Sequence, residues 1–292
     1  MTATLAGPQT DAGRPAGTND TAGAQRIASA FAASRAAGRT ALVPYIVAGY
    51  PDAATSLRIV IAAIDAGADL LEVGLPYSDP LADGATLQRA SQVALAAGAT
   101  LDGSLRLIEK IAAARPATPI VPMGYANQFL GGGDGAEAVR RLAAAGAAGV
   151  IVADLTPDEG APFEERAREH GLAVVYLVAP TTPPARRAAI AARSGGFLYC
   201  VSLVGVTGAR SALSTSVGRL VRDVVRVSPV PVGVGFGVSK PAHVRAIARA
   251  GAAGVIVASA LVDALGRDGT DVARMDRLVR DLAAASGTKR DS

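Results

Sequence analysis

One nine-residue segment occurs twice in this chain, and the repeat constrains the fold more than any other feature of the sequence. The segment AGAAGVIVA fills positions 145–153 and, letter for letter, positions 250–258. A looser copy, AGADLLEVG, fills positions 66–74. Each copy has the pattern of a helix end, a glycine that stops the helix, and an apolar β-strand. The chain is therefore expected to repeat a helix–strand unit.

Apolar runs of strand length recur along the rest of the chain, and a helical pattern follows each one. We predict eight strands, over residues 41–47, 70–75, 120–123, 149–153, 173–178, 197–202, 230–234 and 254–258. Strands that are apolar almost throughout and alternate with helices indicate a parallel sheet covered on both faces. The count of eight favours an α/β fold of the closed (β/α)8 type, a TIM barrel, over an open doubly wound sheet.

Three helical segments extend this basic pattern. A helix over 26–37 precedes the first strand, an extra loop and helix over 76–98 follow the second, and a short helix from Ser259 follows the eighth. Half of the 292 residues are hydrophobic, which is enough for one large core. We expect a disordered N-terminal extension over 1–23, a single barrel domain over 24–286 and a C-terminal tail over 287–292.

The composition argues against several classes of protein. No apolar run reaches the length of a membrane span, and the first 25 residues lack the layout of a secretory signal peptide. The net charge is only +4, and no basic run alternates with aromatic residues, which argues against nucleic-acid binding. The single cysteine, Cys200, allows no disulfide within the chain. His170 and His243 are expected at the surface, and we expect a cytoplasmic enzyme.

The second predicted strand carries a carboxylate on the side that should face the barrel interior. Side chains alternate along a strand, so Leu71 and Val73 should face the helices while Glu72 faces inward. A buried carboxylate is costly without a partner or a task, and no predicted strand holds an inward Lys or Arg to pair with it. Burial should raise the pKa of Glu72, which suits a general acid/base near neutral pH.

Further polar residues follow the carboxyl ends of the strands, where barrels collect their catalytic residues. Asp79 and Asp83 lie in the loop SDPLADG, directly after the strand of Glu72, although each has the sequence context of an ordinary turn residue. Tyr125 and Asn127 end the third strand, and Asp154 ends the fourth. These three residues are placed to line a pocket, to form an interface or only to shape their loops.

Glycine-rich turns follow strands six to eight, on the other side of the expected barrel mouth. They span residues 205–210 and 233–239 and the turn before Ser259. Glycines let backbone N–H groups approach a ligand, a helix N-terminus favours an anion, and barrels often bind phosphate at this place. Tight turns alone would also explain these glycines. Since no cluster of acids or histidines suggests a metal, we expect acid–base chemistry on a small phosphorylated substrate.

Six segments resemble, in the same order, the sequence blocks of the tryptophan synthase alpha chain family. They are VPYIVAGYP, LEVGLPYSDPLADGA, MGYAN, VADLTPDE, YCVSLVGVTGAR and VGFGVSKP. The resemblance implies a (β/α)8 lyase of tryptophan biosynthesis that cleaves indole-3-glycerol phosphate to indole and glyceraldehyde 3-phosphate in a retro-aldol manner. It also implies a β subunit as partner in an α2β2 heterotetramer, with pyridoxal phosphate in the β subunit and no cofactor in this chain.

The resemblance also implies roles for individual residues. The family's catalytic glutamate matches Glu72, expected to relay protons between indole C3 and the glycerol hydroxyl. Its catalytic aspartate matches Asp83, expected to accept the indole N–H and stabilise the charge on the ring. We expect the substrate to be bound by Tyr45, Met123, Tyr125, Tyr199, Thr207, Gly208, Gly235, Phe236, Gly237 and Ser259. The positions that match the surface facing the β subunit are Asp79, Pro80, Leu81 and Asn127.

Three residues depart from the family pattern. Ala85 replaces a usual proline, so the loop after Asp83 is expected to be less rigid. Thr156 also replaces a proline, and a capping box with Glu159 would explain it. Ala258 replaces the glycine before the phosphate-binding serine, and its methyl group is expected to weaken phosphate binding without abolishing it.

Three other functions compete with a β-dependent lyase. One is a lyase that is fully active alone and releases free indole. Another is a barrel without catalysis that only activates the β subunit, although the presence of both Glu72 and Asp83 argues against it. The third is a different phosphate-binding barrel, such as a sugar-phosphate isomerase.

Overall fold

A computed structural model describes residues 20–131, 133–201, 215–235 and 237–287, and it confirms the predicted (β/α)8 barrel. The strand segments, all parallel to their neighbours, are β1 (Ala41–Val47), β2 (Leu71–Gly74), β3 (Ile120–Gly124), β4 (Gly149–Val152), β5 (Ala173–Val174), β6 (Leu177–Val178), β7 (Leu198–Val201), β8 (Val232–Gly235) and β9 (Gly254–Val257). They pair in the order β5-β4-β3-β2-β1-β9-β8-β7-β6. Because β5 and β6 are consecutive in the chain and stand at the two ends of this order, the sheet closes into a barrel.

The fifth predicted strand is divided into β5 and β6, which is why nine segments form instead of eight. Its first half pairs with β4 and its second half with β7. Between them, the Tyr176 N–H donates to the hydroxyl of Ser194 at 3.0 Å. A side-chain acceptor therefore takes the place of a strand neighbour at the position where the segment changes partner.

The helices cover the outside of the barrel and confirm the extra segments predicted after the second and eighth strands. They are α1 (Ala22–Ala36), α2 (Ala53–Asp65), α3 (Ala85–Ala96), α4 (Leu101–Ala114), α5 (Ala126–Leu130), α6 (Ala136–Ala144), α7 (Pro157–Glu169), α8 (Pro184–Arg193), α9 (Thr215–Val227), α10 (Pro241–Arg249), α11 (Ser259–Ala264) and α12 (Val272–Ala285). Two helices follow β2 and two follow β9. The short α5 after β3 was not predicted, and it lies beside the loop that carries Asp83.

The first helix begins at Ala22, earlier than the predicted start at residue 26. Thr21 caps it by accepting the Ala24 N–H, and the Gly23 N–H donates to the carbonyl of Gly171 at 2.8 Å. Thr21 and Gly23, which lie within the predicted extension, are therefore buried at the start of this helix. The rest of the division into extension, domain and tail stays a prediction.

The same helix closes the N-terminal end of the barrel. The ring of Phe31 lies 5.6 Å, between centroids, from that of Phe197. It also fills the space beside Gly254, where an added Cβ would lie 2.5 Å from the ring. Apolar side chains therefore pack at this end of the barrel, and the expected site lies at the opposite end, where the strands have their carboxyl ends.

Two local expectations from the sequence are wrong. His243 is only 7% exposed, and its Nδ1 accepts the Ser239 N–H at 3.3 Å, so it holds the loop before α10. Thr156 is the N-cap of α7 but makes no capping bond with its side chain, and its hydroxyl lies 3.5 Å from the carboxylate of Glu159. The expected capping box therefore does not explain this residue.

Within the described ranges, no helix is both long and apolar enough to cross a membrane.

Candidate active site

Glu72 lies at the centre of the site, on the interior face of β2. It pairs in register with Tyr45 of β1 and Val121 of β3, so these three side chains point to the same side of the sheet. The residue is 1% exposed, and neither carboxylate oxygen has a hydrogen-bond partner among the described residues. Burial raises the pKa of Glu72 to about 8, and the negative charge of Asp83 adds to the rise. The interior position and the direction of the pKa shift both agree with what the sequence predicts.

Asp83 lies in the loop between β2 and α3, at the mouth of the barrel above Glu72. Its N–H donates to the carbonyl of Pro80 at 3.0 Å, which closes a tight turn. Burial raises the pKa of Asp83 to about 6. Ala85 is the first residue of α3 and not part of the loop, a position where proline is favoured in helices. The family's proline and the alanine found here therefore both suit the start of this helix.

The pKa values of the two acids lie on opposite sides of neutrality. At pH 7, Glu72 mostly keeps its proton while Asp83 is mostly ionised. One carboxyl group is therefore a proton donor, and the other is an anion. Such a pair is the arrangement that acid–base catalysis needs at neutral pH.

Two buried tyrosines stand beside these acids. Burial and the charges of Asp83 and Glu72 raise the pKa of both Tyr45 and Tyr199 well above that of a free tyrosine. Each hydroxyl lies over a glycine on the neighbouring strand. A Cβ added to Gly74 would be 2.0 Å from the Tyr45 hydroxyl, and one added to Gly235 would be 2.8 Å from that of Tyr199. The glycines therefore set how deeply the tyrosine rings enter the barrel.

This packing gives a direct test of the pocket wall. We expect Gly74→Ala to push the ring of Tyr45 toward the substrate space and to lower kcat/KM for cleavage by about 100-fold, since small displacements in a site have effects of this size. Steady-state kinetics would measure it. When Tyr45→Leu is combined with Gly74→Ala, part of the lost kcat/KM should return, because leucine leaves room for the alanine methyl group. Unchanged kcat/KM in Gly74→Ala would contradict this view of the wall.

The turns expected to bind phosphate are only partly described. Gly237 adopts φ +54°, and no heavy atom lies within 4 Å of the position of an added Cβ, so its backbone faces open space. Ser259 opens α11, and Ala258 before it has φ −124°, so its backbone is not in the left-handed region that favours glycine. Thr207, Gly208 and Phe236 lie outside the described residues.

The residues expected to face a partner chain surround the same mouth. Leu81 is 92% exposed, the highest exposure among the exposed large hydrophobic residues of the described chain. Asn127 is exposed and donates from Nδ2 to the Tyr77 hydroxyl at 3.3 Å. Asp79 is exposed and accepts from the hydroxyl of Ser78 at 2.6 Å. Pro80, by contrast, is buried within this chain.

Tyr125 and Met123, both expected to touch the substrate, differ in their surroundings. Met123 is partly exposed and pairs with Gly74, so it points to the interior with Glu72. Tyr125 is 6% exposed, and its hydroxyl accepts the Ala82 N–H at 3.0 Å. Gln88 and Gln128 also bond to this loop, and sequence reasoning did not single them out. The only signal for Gln128 was its place three residues after Tyr125, the spacing of a capping box.

The family model described as "Tryptophan synthase alpha chain" matches residues 31–288 of this sequence. The chain belongs to the tryptophan synthase alpha chain family. A tryptophan synthase alpha chain from Roseiflexus castenholzii is 49% identical over 257 residues, which is 87% of this chain and 98% of that protein.

Solved structures agree with this membership. A tryptophan synthase chain from Mycobacterium tuberculosis superposes with a TM-score of 0.82 at 42% identity, covering 90% of this chain and 98% of that one. A mutant alpha subunit from Pyrococcus furiosus superposes with a TM-score of 0.78 at 35% identity, covering 84% and 99%. As a tryptophan synthase alpha chain, this protein is a lyase of tryptophan biosynthesis with indole-3-glycerol phosphate aldolase activity.

Proposed function

We propose that Glu72 and Asp83 carry out the cleavage of indole-3-glycerol phosphate in this chain, and that the chain works bound to a β subunit. The observation that carries the assignment is the buried carboxyl group of Glu72, which has no hydrogen-bond partner among the described residues. A group in such a position costs stability. The presence of a carboxyl group at this position is explained if the bound substrate supplies the missing hydrogen-bond partners.

Glu72 serves first as an acid and then as a base. In its protonated form it donates to C3 of the indole ring, which places a positive charge on the ring nitrogen. The resulting carboxylate then removes the proton of the hydroxyl on the carbon bonded to C3. A carbonyl forms there, the C–C bond breaks, and its electron pair returns to the ring. The proton taken from the hydroxyl restores Glu72, so the acid is regenerated in each turnover.

Asp83 stabilises the charge that develops between these two proton transfers. Its carboxylate accepts the indole N–H. Its attraction to the ring is stronger in the transition state, where the ring carries positive charge, than in the substrate. A pKa of about 6 keeps the group ionised at neutral pH. Met123 and Tyr45 are proposed to contact the indole ring, which their position on the interior side supports, with Tyr199 beside Glu72.

The phosphate of the substrate is assigned to the opposite side of the mouth. The open backbone at Gly237 and the start of α11 at Ser259 support this assignment. Gly208, Gly235 and Phe236 complete the proposed cradle, and Thr207 is proposed to close over Asp83. Ala258 adds only a methyl group there, so we expect phosphate affinity to be reduced and not lost.

The β subunit is proposed to bind at the mouth, over Leu81, Asp79 and Asn127. An exposed leucine beside polar groups is the kind of surface that a partner chain buries. The assembly is proposed to be α2β2, in the cytoplasm, with pyridoxal phosphate held by the β subunit and no cofactor in this chain.

Release of indole from indole-3-glycerol phosphate, measured with and without added β subunit, tests the partner. We expect a large rise in kcat on addition. Full activity of the chain alone would favour the independent lyase. Binding of indole-propanol phosphate, a substrate mimic, tests the site separately. Failure to bind at millimolar concentration would point to a different phosphate-binding barrel.

A further inference from the structure

The loop that carries Asp83 is held by side chains on both sides of this residue. Before it, the hydroxyl of Tyr125 accepts the N–H of Ala82 at 3.0 Å. After it, the amide of Gln88 donates from Nε2 to the carbonyl of Asp83 at 2.9 Å and also approaches the carbonyl of Pro80 at 3.5 Å. One contact comes from the end of β3 and the other from α3. The backbone before and after the Asp83 side chain is therefore tied to two separate elements.

Tyr125 is itself held in place by contacts other than its bond to the loop. Its N–H donates to Oε1 of Gln128 at 3.0 Å, and Nε2 of Gln128 donates to the carbonyl of Pro76 at 3.0 Å. The ring stacks on that of Tyr77, with 5.1 Å between centroids. The residue is also mostly buried. A phenol held in this way is a rigid acceptor, so it restrains the Ala82 N–H and does not simply follow it.

The helix that begins after Tyr125 has a support of its own. Oδ1 of Asp154, at the end of β4, accepts a hydrogen bond from the N–H of Ala126 at 2.7 Å. A carboxylate is favoured at a helix N-terminus because the first N–H groups lack partners inside the helix. The series of contacts therefore runs from β4 through the start of α5 to the loop after β2. The bonds from Ala126 to Asp154 and from Ala82 to Tyr125 both join segments far apart in the sequence.

We propose that Tyr125 and Gln88 are positioning residues that hold the Asp83 carboxylate where it meets the substrate. The inference rests on the proposed role of Asp83. It assigns to Tyr125 a contact with the protein backbone in place of the expected contact with the substrate. A carboxylate that stabilises a developing charge acts only in one narrow arrangement, and an error of about 1 Å can cost about 100-fold in rate. The restraint on Ala82 and Asp83 supplies that arrangement.

Tyr125→Phe is the variant that tests the first contact. It removes the acceptor but keeps the ring, the stack on Tyr77 and the bond from the backbone N–H to Gln128. In the full chain with saturating β subunit, we expect kcat to fall about 10- to 100-fold, with KM changed by less than about threefold. The loosened loop should let water reach Asp83, so the acid limb of the pH–rate profile should move to lower pH. A loss of general stability would not move this limb.

Two further variants separate positioning from other effects. Tyr77→Phe removes the hydroxyl of the other ring in the stack. This hydroxyl accepts from Asn127 and is not the acceptor of the Ala82 N–H, so kcat should stay within about twofold of the parent value. Gln88→Leu removes the donor on the far side of Asp83 and should reproduce the loss of kcat and the shift of the acid limb. If Tyr125→Phe fails to fold, Gln88→Leu still tests the restraint.

A double-mutant cycle with Asp83→Asn decides whether Tyr125 acts through Asp83. In the Asp83→Asn background, Tyr125→Phe should cause less than about a twofold further loss, because the charge that Tyr125 positions is already gone. An equal loss in both backgrounds would overturn the proposal in favour of direct contact with the substrate. So would normal kcat in both Tyr125→Phe and Gln88→Leu. If Asp83→Asn alone leaves kcat unchanged, it is the proposed function of Asp83 that fails.

Discussion

Glu72→Gln is expected to remove nearly all indole-releasing activity while it makes the protein more stable. Glutamine keeps the size of the side chain but can neither donate a proton to indole C3 nor accept one from the glycerol hydroxyl. A single general acid/base is worth about 10²–10⁴-fold, so we expect kcat to fall by about that factor. KM should change little, because the side chain still fills the same place.

The gain in stability follows from the raised pKa of the buried acid. The pKa of Glu72 is about 8 in the folded chain, against an ordinary value of 4.5. Because the folded state binds the proton more tightly, the stability that this group contributes is present below pH 4.5 and is lost as the pH rises to 8. At pH 7 the cost is on the order of 3 kcal/mol. Glutamine has no such cost, so the variant and the parent should be similar at pH 5 and differ most at pH 8.

Denaturant unfolding at several pH values, together with single-turnover kinetics, would measure both effects. Glu164→Gln is a matched control in the helix layer. The carboxylate of Glu164 is only 15% exposed, but it is paired with Arg193 at 2.8 Å and accepts from the Tyr176 hydroxyl. Removing its charge should therefore lower stability and leave kcat unchanged. A stability loss in Glu72→Gln, or normal turnover, would contradict the assignment of Glu72.

What could be predicted from the sequence depended on short-range patterns. The helix–strand repeat and the alternation along β2 were enough to place Glu72 in the barrel interior and to predict its raised pKa. Both rest on residues next to one another in the chain. Asp83 was harder, because a loop aspartate before glycine looks like any turn residue, and its role came only from the resemblance to a known family.

The features that the sequence did not reveal depend on contacts between distant segments. The contact of Tyr125 with Ala82 spans 43 residues, and the bond between Tyr176 and Ser194 that divides the fifth strand spans 18. His243 differs, because its bond to the Ser239 N–H spans only four residues and its burial depends on how α10 packs in the fold. Local propensity contains no information about such partners or such packing, so the bond from Ala82 to Tyr125 was not expected and His243 was interpreted as a surface residue.

Asp83→Asn is expected to lower kcat about as strongly as Glu72→Gln, by about 10²–10⁴-fold, but to change the pH profile in a different way. The side-chain carbonyl of asparagine can still accept a hydrogen bond from the indole N–H. Asparagine carries no charge, however, to offset that of the protonated ring. The loss should therefore fall on kcat more than on KM, because the charge matters most in the transition state.

The parent protein should show a bell-shaped profile with its maximum near pH 7. Activity requires Asp83 to be ionised, which sets the acid limb at about pH 6, and Glu72 to hold its proton, which sets the alkaline limb at about pH 8. In Asp83→Asn the acid limb should disappear. The alkaline limb should move to lower pH, because the negative charge that helps to keep the proton on Glu72 is gone.

Profiles of kcat/KM from about pH 5 to 9 would show both changes, since this parameter reports the groups of the free enzyme. Asp65→Asn makes the same change in net charge on the outer surface, where Asp65 pairs with Arg115 at 2.7 Å, and should leave both limbs in place. An alkaline limb that stays at pH 8 in Asp83→Asn would show that the two acids are not coupled. The raised pKa of Glu72 would then be due to burial alone, and the proton held at neutral pH would not depend on the charge beside it.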